Sequence, residues 1–250
     1  MPMWLAALTT LTLTGVHPTQ EQDVLVAVSA NFTQAIHDVV ALFEARTGRR
    51  VIVSSGSSGT LYAQIRRGAP YHVFLSADED RPRRLEAEGY AVPGIRLTYA
   101  TGRLALWSNS RSAEYAPRET LERGDFRHLA IAMPSTAPYG SAARETLIAL
   151  GLWERYARRI VRGQSIAQTH QFVASRNAEL GFVAHGQVIE EPEDSFWLVP
   201  EELHGPIVQQ AVLLAKGHSH PGARAFLEFL LSSEAQQIIR RHGYGVPRGT

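Results

Sequence analysis

The sequence predicts an α/β protein of two lobes, each a mostly parallel sheet flanked by helices, with a ligand cleft between them. Three observations carry this. Short apolar runs of strand length alternate with stretches of helical periodicity, the pattern of a doubly wound sheet. The alternation falls into two series, in a chain of 250 residues that exceeds the usual length of one domain. No low-complexity linker separates the series, so two extended crossings, near Tyr99 to Leu104 and near Pro206 to Val208, would join the lobes. Lobe I is then 23–100 with 207–250, and lobe II is 101–206.

The first series opens with the apolar strand Val24 to Val28. Ile36, Val39, Val40 and Phe43 follow at helical spacing until Gly48 supplies a stop. Strand Arg50 to Val53, a Ser/Gly loop and a helix from about Thr60 to Arg67 repeat the unit, and strand Val73 to Leu75 follows. A charged helix near Glu79 to Glu88 comes next, after which Gly89 and Pro93 break the chain. The second series runs through strand Leu104 to Trp107, strand Leu129 to Met133 and a helix from Ala142 to Leu150 ended by Gly151. A helix starting near Ser165 then leads to strands Gly181 to Ala184 and Phe196 to Val199. Strand Val208 to Ala215 and helix Pro221 to Leu231 come after Pro206. In a last helix, ended by Gly243, Ser233 and Gln236 have capping-box spacing.

Composition narrows the partners. Hydrophobic residues at 44% and charged residues at 20% fit a compact soluble chain. The net charge of +1 disfavours nucleic acid, and Arg83-Arg84, Arg158-Arg159 and Arg240-Arg241 read as solvated faces of helix-like stretches. With no Cys, disulfides, thiol catalysis and Cys-zinc sites are excluded. Met1 to Val16 is apolar and precedes the polar stretch His17 to Asp23, so residues 1–22 read as a leader for export, although no Lys or Arg precedes the run. No other apolar stretch is long enough to span a bilayer, and a monomer is the default.

The helix starts are the informative feature. Asn31 precedes the first helix, Ser57-Ser58-Gly59 the second and Pro138-Tyr139-Gly140-Ser141 the third, and Gln164-Ser165-Ile166 opens the fourth. Each offers unpaired backbone N–H groups and about half a positive charge, so converging starts can hold an anion without a cationic side chain. Singly, these are ordinary N-cap residues. Two lie in each series, the arrangement required if two lobes close on a ligand beyond the carboxyl ends of their strands.

Three segments carry a resemblance: Val26 to Thr33 (VAVSANFT), Ser54 to Leu61 (SSGSSGTL) and Gly68 to Asp78 (GAPYHVFLSAD). Together they resemble the periplasmic molybdate-binding proteins of ABC transporters, and the similarity runs from about Val24 to Val246. The resemblance implies a type II periplasmic-binding-protein fold and a molybdate or tungstate ligand passed to a membrane permease, with no cofactor. It also implies the ligand-binding residues. Asn31 and Ser58 would donate from the first lobe, with the neighbouring Ala30 amide, and Tyr139 and Ile166 would supply mainly backbone N–H groups from the second. One branch of the family has Ser, Ala and Tyr at the places of Asn31, Tyr139 and Ala184. This chain is similar to the branch with Asn and Tyr in the first and third loops, where Tyr139 would fill the space of the missing tyrosine.

Neutral donors without an acceptor suit a fully ionised tetrahedral dianion: molybdate, tungstate or sulfate. Hydrogen phosphate carries a proton that needs an acceptor, and the candidate loops hold no Asp or Glu, so phosphate should be rejected. Preference for molybdate over sulfate rests on the resemblance. Two other classes fit the sequence less well. A serine-type hydrolase is disfavoured because no Gly-x-Ser-x-Gly surrounds a serine, and His37, His72, His170 and His185 lie in helices or beside strands. A metal-cation site from His204, His218 and His220 is disfavoured because Ser219 and Pro221 suggest a helix entry there.

Overall fold

The computed structural model describes residues 23–110 and 116–245, so the leader assigned to residues 1–22 lies outside the described residues. The first series folds as β1 (Val24–Ser29), α1 (Thr33–Thr47), β2 (Val51–Gly56), α2 (Ser58–Arg66), β3 (Val73–Ser76), α3 (Asp80–Ala87) and β4 (Ala91–Gly102). The second comprises β5 (Leu104–Trp107), α4 (Pro117–Arg123), β6 (Leu129–Ala132), α5 (Pro138–Ala149), α6 (Trp153–Tyr156), β7 (Ile160–Gly163), α7 (Ile166–Ala174), β8 (Leu180–Ala184) and β9 (Phe196–Leu198). The chain closes with β10 (Ile207–Leu214), α8 (Pro221–Phe229) and α9 (Ser233–Arg241).

Two five-stranded sheets result, ordered β2-β1-β3-β10-β4 and β7-β6-β8-β5-β9. In the first, β10 is antiparallel to both β3 and β4, while β1 is parallel to β2 and β3, so β10 alone is reversed. In the second, β5 holds the same place, antiparallel to β8 and β9. The expectation of mostly parallel sheets flanked by helices is met, and each reversed strand adjoins a crossing between the sheets. The chain leaves the first sheet at Gly102 and returns at Ile207, and these two residues pair side by side.

Each sheet is covered on both faces. The Ile36, Val39, Val40 and Phe43 stripe of α1 is buried with Phe226 and Leu227 of α8 and Ile239 of α9, while Leu61 and Ile65 of α2 pack with Leu85 of α3 on the opposite face. Each such side chain contributes roughly 1.5–3 kcal/mol of burial. Gly48 ends α1 at φ 68°, a left-handed conformation that glycine adopts without a Cβ penalty. The second sheet has its own core around Leu106, Ile131, Leu147 and Phe182.

Several expectations are corrected. Pro93 does not break the chain: it lies inside β4, the sheet's edge strand. The register slips between Val212 and Leu214 of β10, so Val92 to Ile95 bulge outward and the missing N–H costs no ladder bond. The last helix is capped by Ser232, whose hydroxyl accepts from Ala235 N at 3.2 Å, while the Gln236 side chain donates to Leu230 and Tyr99 carbonyls. Arg158 and Arg159 sit in a turn, and Arg159 stacks over Phe126 and Tyr156 while donating to the Gly124 carbonyl. Helices α4 and α6 and strand β7 carried too little periodicity for their length to be anticipated.

Candidate anion-binding site

The helix starts emerge from strand ends. Strands β1, β2, β6 and β7 run directly toward Asn31, Ser58, Tyr139 and Ile166, so parallel strands aim all four starts at the carboxyl edges of the two sheets. Helices α2 and α5 begin earlier than the sequence suggests. Ser57 caps α2, which makes Ser58 its first residue, and Pro138 is the first residue of α5, where a proline lacks no needed donor. Tyr139 therefore lies in the first helical turn. Ser165 caps α7 by accepting from Gln168 N at 3.3 Å, leaving Ile166 as the first helical residue.

Ala30, Asn31, Ser58, Tyr139 and Ile166 all line one small cavity between the sheets, completed by Ser29, Ser57, Ala77, Ala137 and Pro138. All five are buried, and among the described residues the backbone N–H groups of Asn31, Ser58, Tyr139 and Ile166 make none of the turn, loop or cap hydrogen bonds, while Ala30 N lies at the end of the β1–β2 ladder. Buried N–H groups are very seldom left unpaired, so helix starts that line one space make it a candidate place for acceptors. None of the ten lining residues is acidic.

Side chains sharpen the picture. The Ser29 and Ser58 hydroxyls lie 2.5 Å apart, and both accept from Ala77 N at 3.1 Å. Two hydroxyls carry two protons and their mutual bond uses one, which leaves one O–H to donate into the cavity. The Asn31 side-chain amide instead donates to Gln209 Oε1 at 2.9 Å and to the Tyr244 hydroxyl at 3.4 Å. Asn31 therefore presents its backbone N–H. The Tyr139 hydroxyl accepts from Gln209 Nε2 at 3.3 Å. Burial holds the Tyr139 and Tyr99 phenols well above their ordinary value and the Tyr244 phenol above its own, so no phenolate adds negative charge beside the cavity.

Contacts across the two sheets hold this arrangement. Gly59 N donates to Thr136 O at 2.8 Å, and Arg81, paired with Asp78, donates to Ser135 O at 3.1 Å. A Cβ on Gly59 would lie 2.9 Å from Thr136 Cα, so only glycine permits this approach. The histidines lie elsewhere. His170 stacks on Trp107, His72 accepts from Leu25 N, and His220 caps α8 by accepting from Ala223 N, the helix entry anticipated for it.

The described fold and cavity can now be set beside known proteins. A family model described as bacterial extracellular solute-binding protein matches residues 24–245. The chain belongs to that family. Among curated relatives, this solute-binding protein is 47% identical over 230 residues to the molybdate-binding protein ModA of Azotobacter vinelandii, with 91% of each chain covered. It is 46% identical over 227 residues to the ModA of Rhodobacter capsulatus, covering 91% of this chain and 90% of that one. A solved structure of the Azotobacter vinelandii periplasmic molybdate-binding protein superposes with a TM-score of 0.86 at 39% identity, covering 90% of this chain and all of the other.

Sequence reasoning missed Ser29, Ala77, Tyr99, Gln209 and Tyr244. Ser29 and Ala77 sit within the quoted resemblance segments, but nothing local shows that β1 and β3 are neighbours. Gln209 is a polar residue inside the apolar strand β10. That break in an otherwise buried run was the one available signal.

Proposed function

We propose that this chain is an extracytoplasmic binding protein that captures molybdate or tungstate in the cavity between its sheets and delivers it to the permease of an ABC transporter. The observation that carries this reading is that Ala30, Asn31, Ser58, Tyr139 and Ile166, buried residues at helix starts of both sheets, line one cavity without an acidic residue. The names of the relatives supply the ion. Such a lining offers donors to every oxygen of a dianion and no acceptor for a proton, which selects against hydrogen phosphate.

The lobes are 23–100 with 207–250, and 101–206. Donors from the second lobe reach the ion only when the lobes close, so binding energy shifts the population toward the closed form that the permease reads. The protein acts as a monomer, does not bind nucleic acid, and reaches its compartment through a leader in residues 1–22. Isothermal titration of one preparation with molybdate, tungstate, sulfate and phosphate tests this. Heat is expected with molybdate and tungstate and none with phosphate. Silence toward all four would overturn the reading, and tighter binding of sulfate would keep the site and change its ligand.

A further inference from the structure

Gln209 is fully buried in β10, at the point where the chain returns to the first sheet, and lies behind the anion cavity rather than in its lining. Its side-chain amide joins three elements. Oε1 accepts from Asn31 Nδ2 and from the Tyr99 hydroxyl, both at 2.9 Å, and Nε2 donates to the Tyr139 hydroxyl at 3.3 Å. Asn31 and Tyr99 belong to the first sheet and its connections, whereas Tyr139 opens α5, packed in the core of the second.

A bulge sets up this junction. Strand β10 pairs Gln209 with Ala100 and the next residue, Gln210, with Thr98, so Tyr99 is the extra residue of β4. Bulges re-aim side chains, and here Tyr99 Oη meets Gln209. Gly102 completes the fit, because a Cβ there would lie 2.1 Å from Tyr139 Oη and 2.8 Å from Gln209 Nε2. The amide turns its oxygen toward the Asn31 Nδ2 donor and the Tyr99 hydroxyl and its N–H toward the Tyr139 hydroxyl, an orientation that gives both ends of the group a partner.

We infer that Gln209 is a positioning residue that couples the two halves of the oxyanion site, orienting Asn31 on one side and seating Tyr139 on the other, without touching the ion. The inference rests on the proposed closure of the lobes around an oxyanion. Gln209 is satisfied on the first-sheet side in either state, and its bond to Tyr139 forms only when the second sheet closes. That differential contact favours the closed form and slows release of the ion.

A double-variant cycle tests this with the full mature chain: wild type, Gln209→Leu, Tyr139→Phe and the pair, titrated with molybdate and followed by stopped flow. Gln209→Leu is expected to weaken binding about ten-fold, the scale of one buried hydrogen bond, through faster dissociation at unchanged association rate. In the Tyr139→Phe background the same substitution should cost much less. Unchanged affinity in Gln209→Leu, or an equal fold-loss in both backgrounds, would overturn the inference.

Gln209→Glu supplies a readout that packing alone would not move. The carboxylate still accepts from Asn31 and Tyr99 but places a titrating charge behind a dianion, so affinity should fall as pH rises, with no such slope in wild type. A flat profile counts against the inference. If wild type is silent to molybdate and tungstate, the ligand reading fails separately. The same cycle is then run with sulfate, where an equal fold-loss in both backgrounds overturns the coupling and a smaller loss in the Tyr139→Phe background supports it.

Discussion

Ser58 and Ser29 share a proton, and that sharing decides what each hydroxyl can do. Removing the Ser58 hydroxyl takes away one of the two O–H groups beside the cavity, breaks their mutual bond and leaves Ala77 N with Ser29 alone. Ser58→Ala is expected to weaken molybdate binding by about 1–3 kcal/mol, the cost of a hydrogen bond to a charged group. Titration calorimetry measures it, and unchanged affinity would remove the Ser58 hydroxyl from the site. Asn31→Ala should also weaken binding, for a different reason. Its side chain holds Gln209 and Tyr244 instead of the ion, so the loss comes from a misplaced backbone and should be accompanied by a lower melting temperature. The type of each residue was legible, since Asn, Ser and Gly before helices are visible in any sequence. The division of labour between side chain and backbone was not, because it depends on Gln209, 178 positions away from Asn31.

At the scale of elements, first turns and strand ends carry the function. Gly140 allows α5 to begin against β6, since a Cβ there would lie 2.2 Å from the Ala132 carbonyl oxygen. Gly140→Ala should therefore displace the Tyr139 amide and lower both stability and affinity. Gly59→Ala discriminates further. The three atoms nearest its Cβ would be Thr136 Cα and O, across the cleft, and a guanidinium nitrogen of Arg81, so the ligand-free, open protein should melt close to wild type. Molybdate should bind at least several-fold more weakly and leave faster. A Gly59→Ala protein with wild-type affinity would show that this contact plays no part in closure. Long amphipathic helices such as α1 were readable from spacing alone. Short pieces were not: β7 has four residues, of which two are buried, yet it aims Ile166 at the cavity. Pro93 misled because an edge strand tolerates a proline that a central strand would not.

For the whole molecule, a ligand that binds only the folded form stabilises it with the logarithm of its concentration over Kd, by about 2.7 kcal/mol at a hundred-fold excess. Thermal melts should rise with molybdate and tungstate and stay flat with phosphate. Acid should act in the opposite sense. Burial lowers the pKa values of His72, His170 and His185, so the unfolded chain takes up their protons first. Their contribution is complete above the unfolded value near 6.5 and is lost as pH falls through it toward the folded values. Melting temperature should decline below about pH 6.5, and His170→Phe, which keeps an aromatic ring on Trp107, should make that decline shallower. The alternation of strand and helix, the two series and the neutral, cation-free character of the helix starts are legible in the chain alone, because periodicity, capping and charge are written locally. That four starts line one cavity, that Gln209 and Tyr99 stand behind them and that glycines permit the close approaches follows from the folded arrangement. Those are distances between residues far apart in the chain, and they exist once strands pair and the two sheets meet.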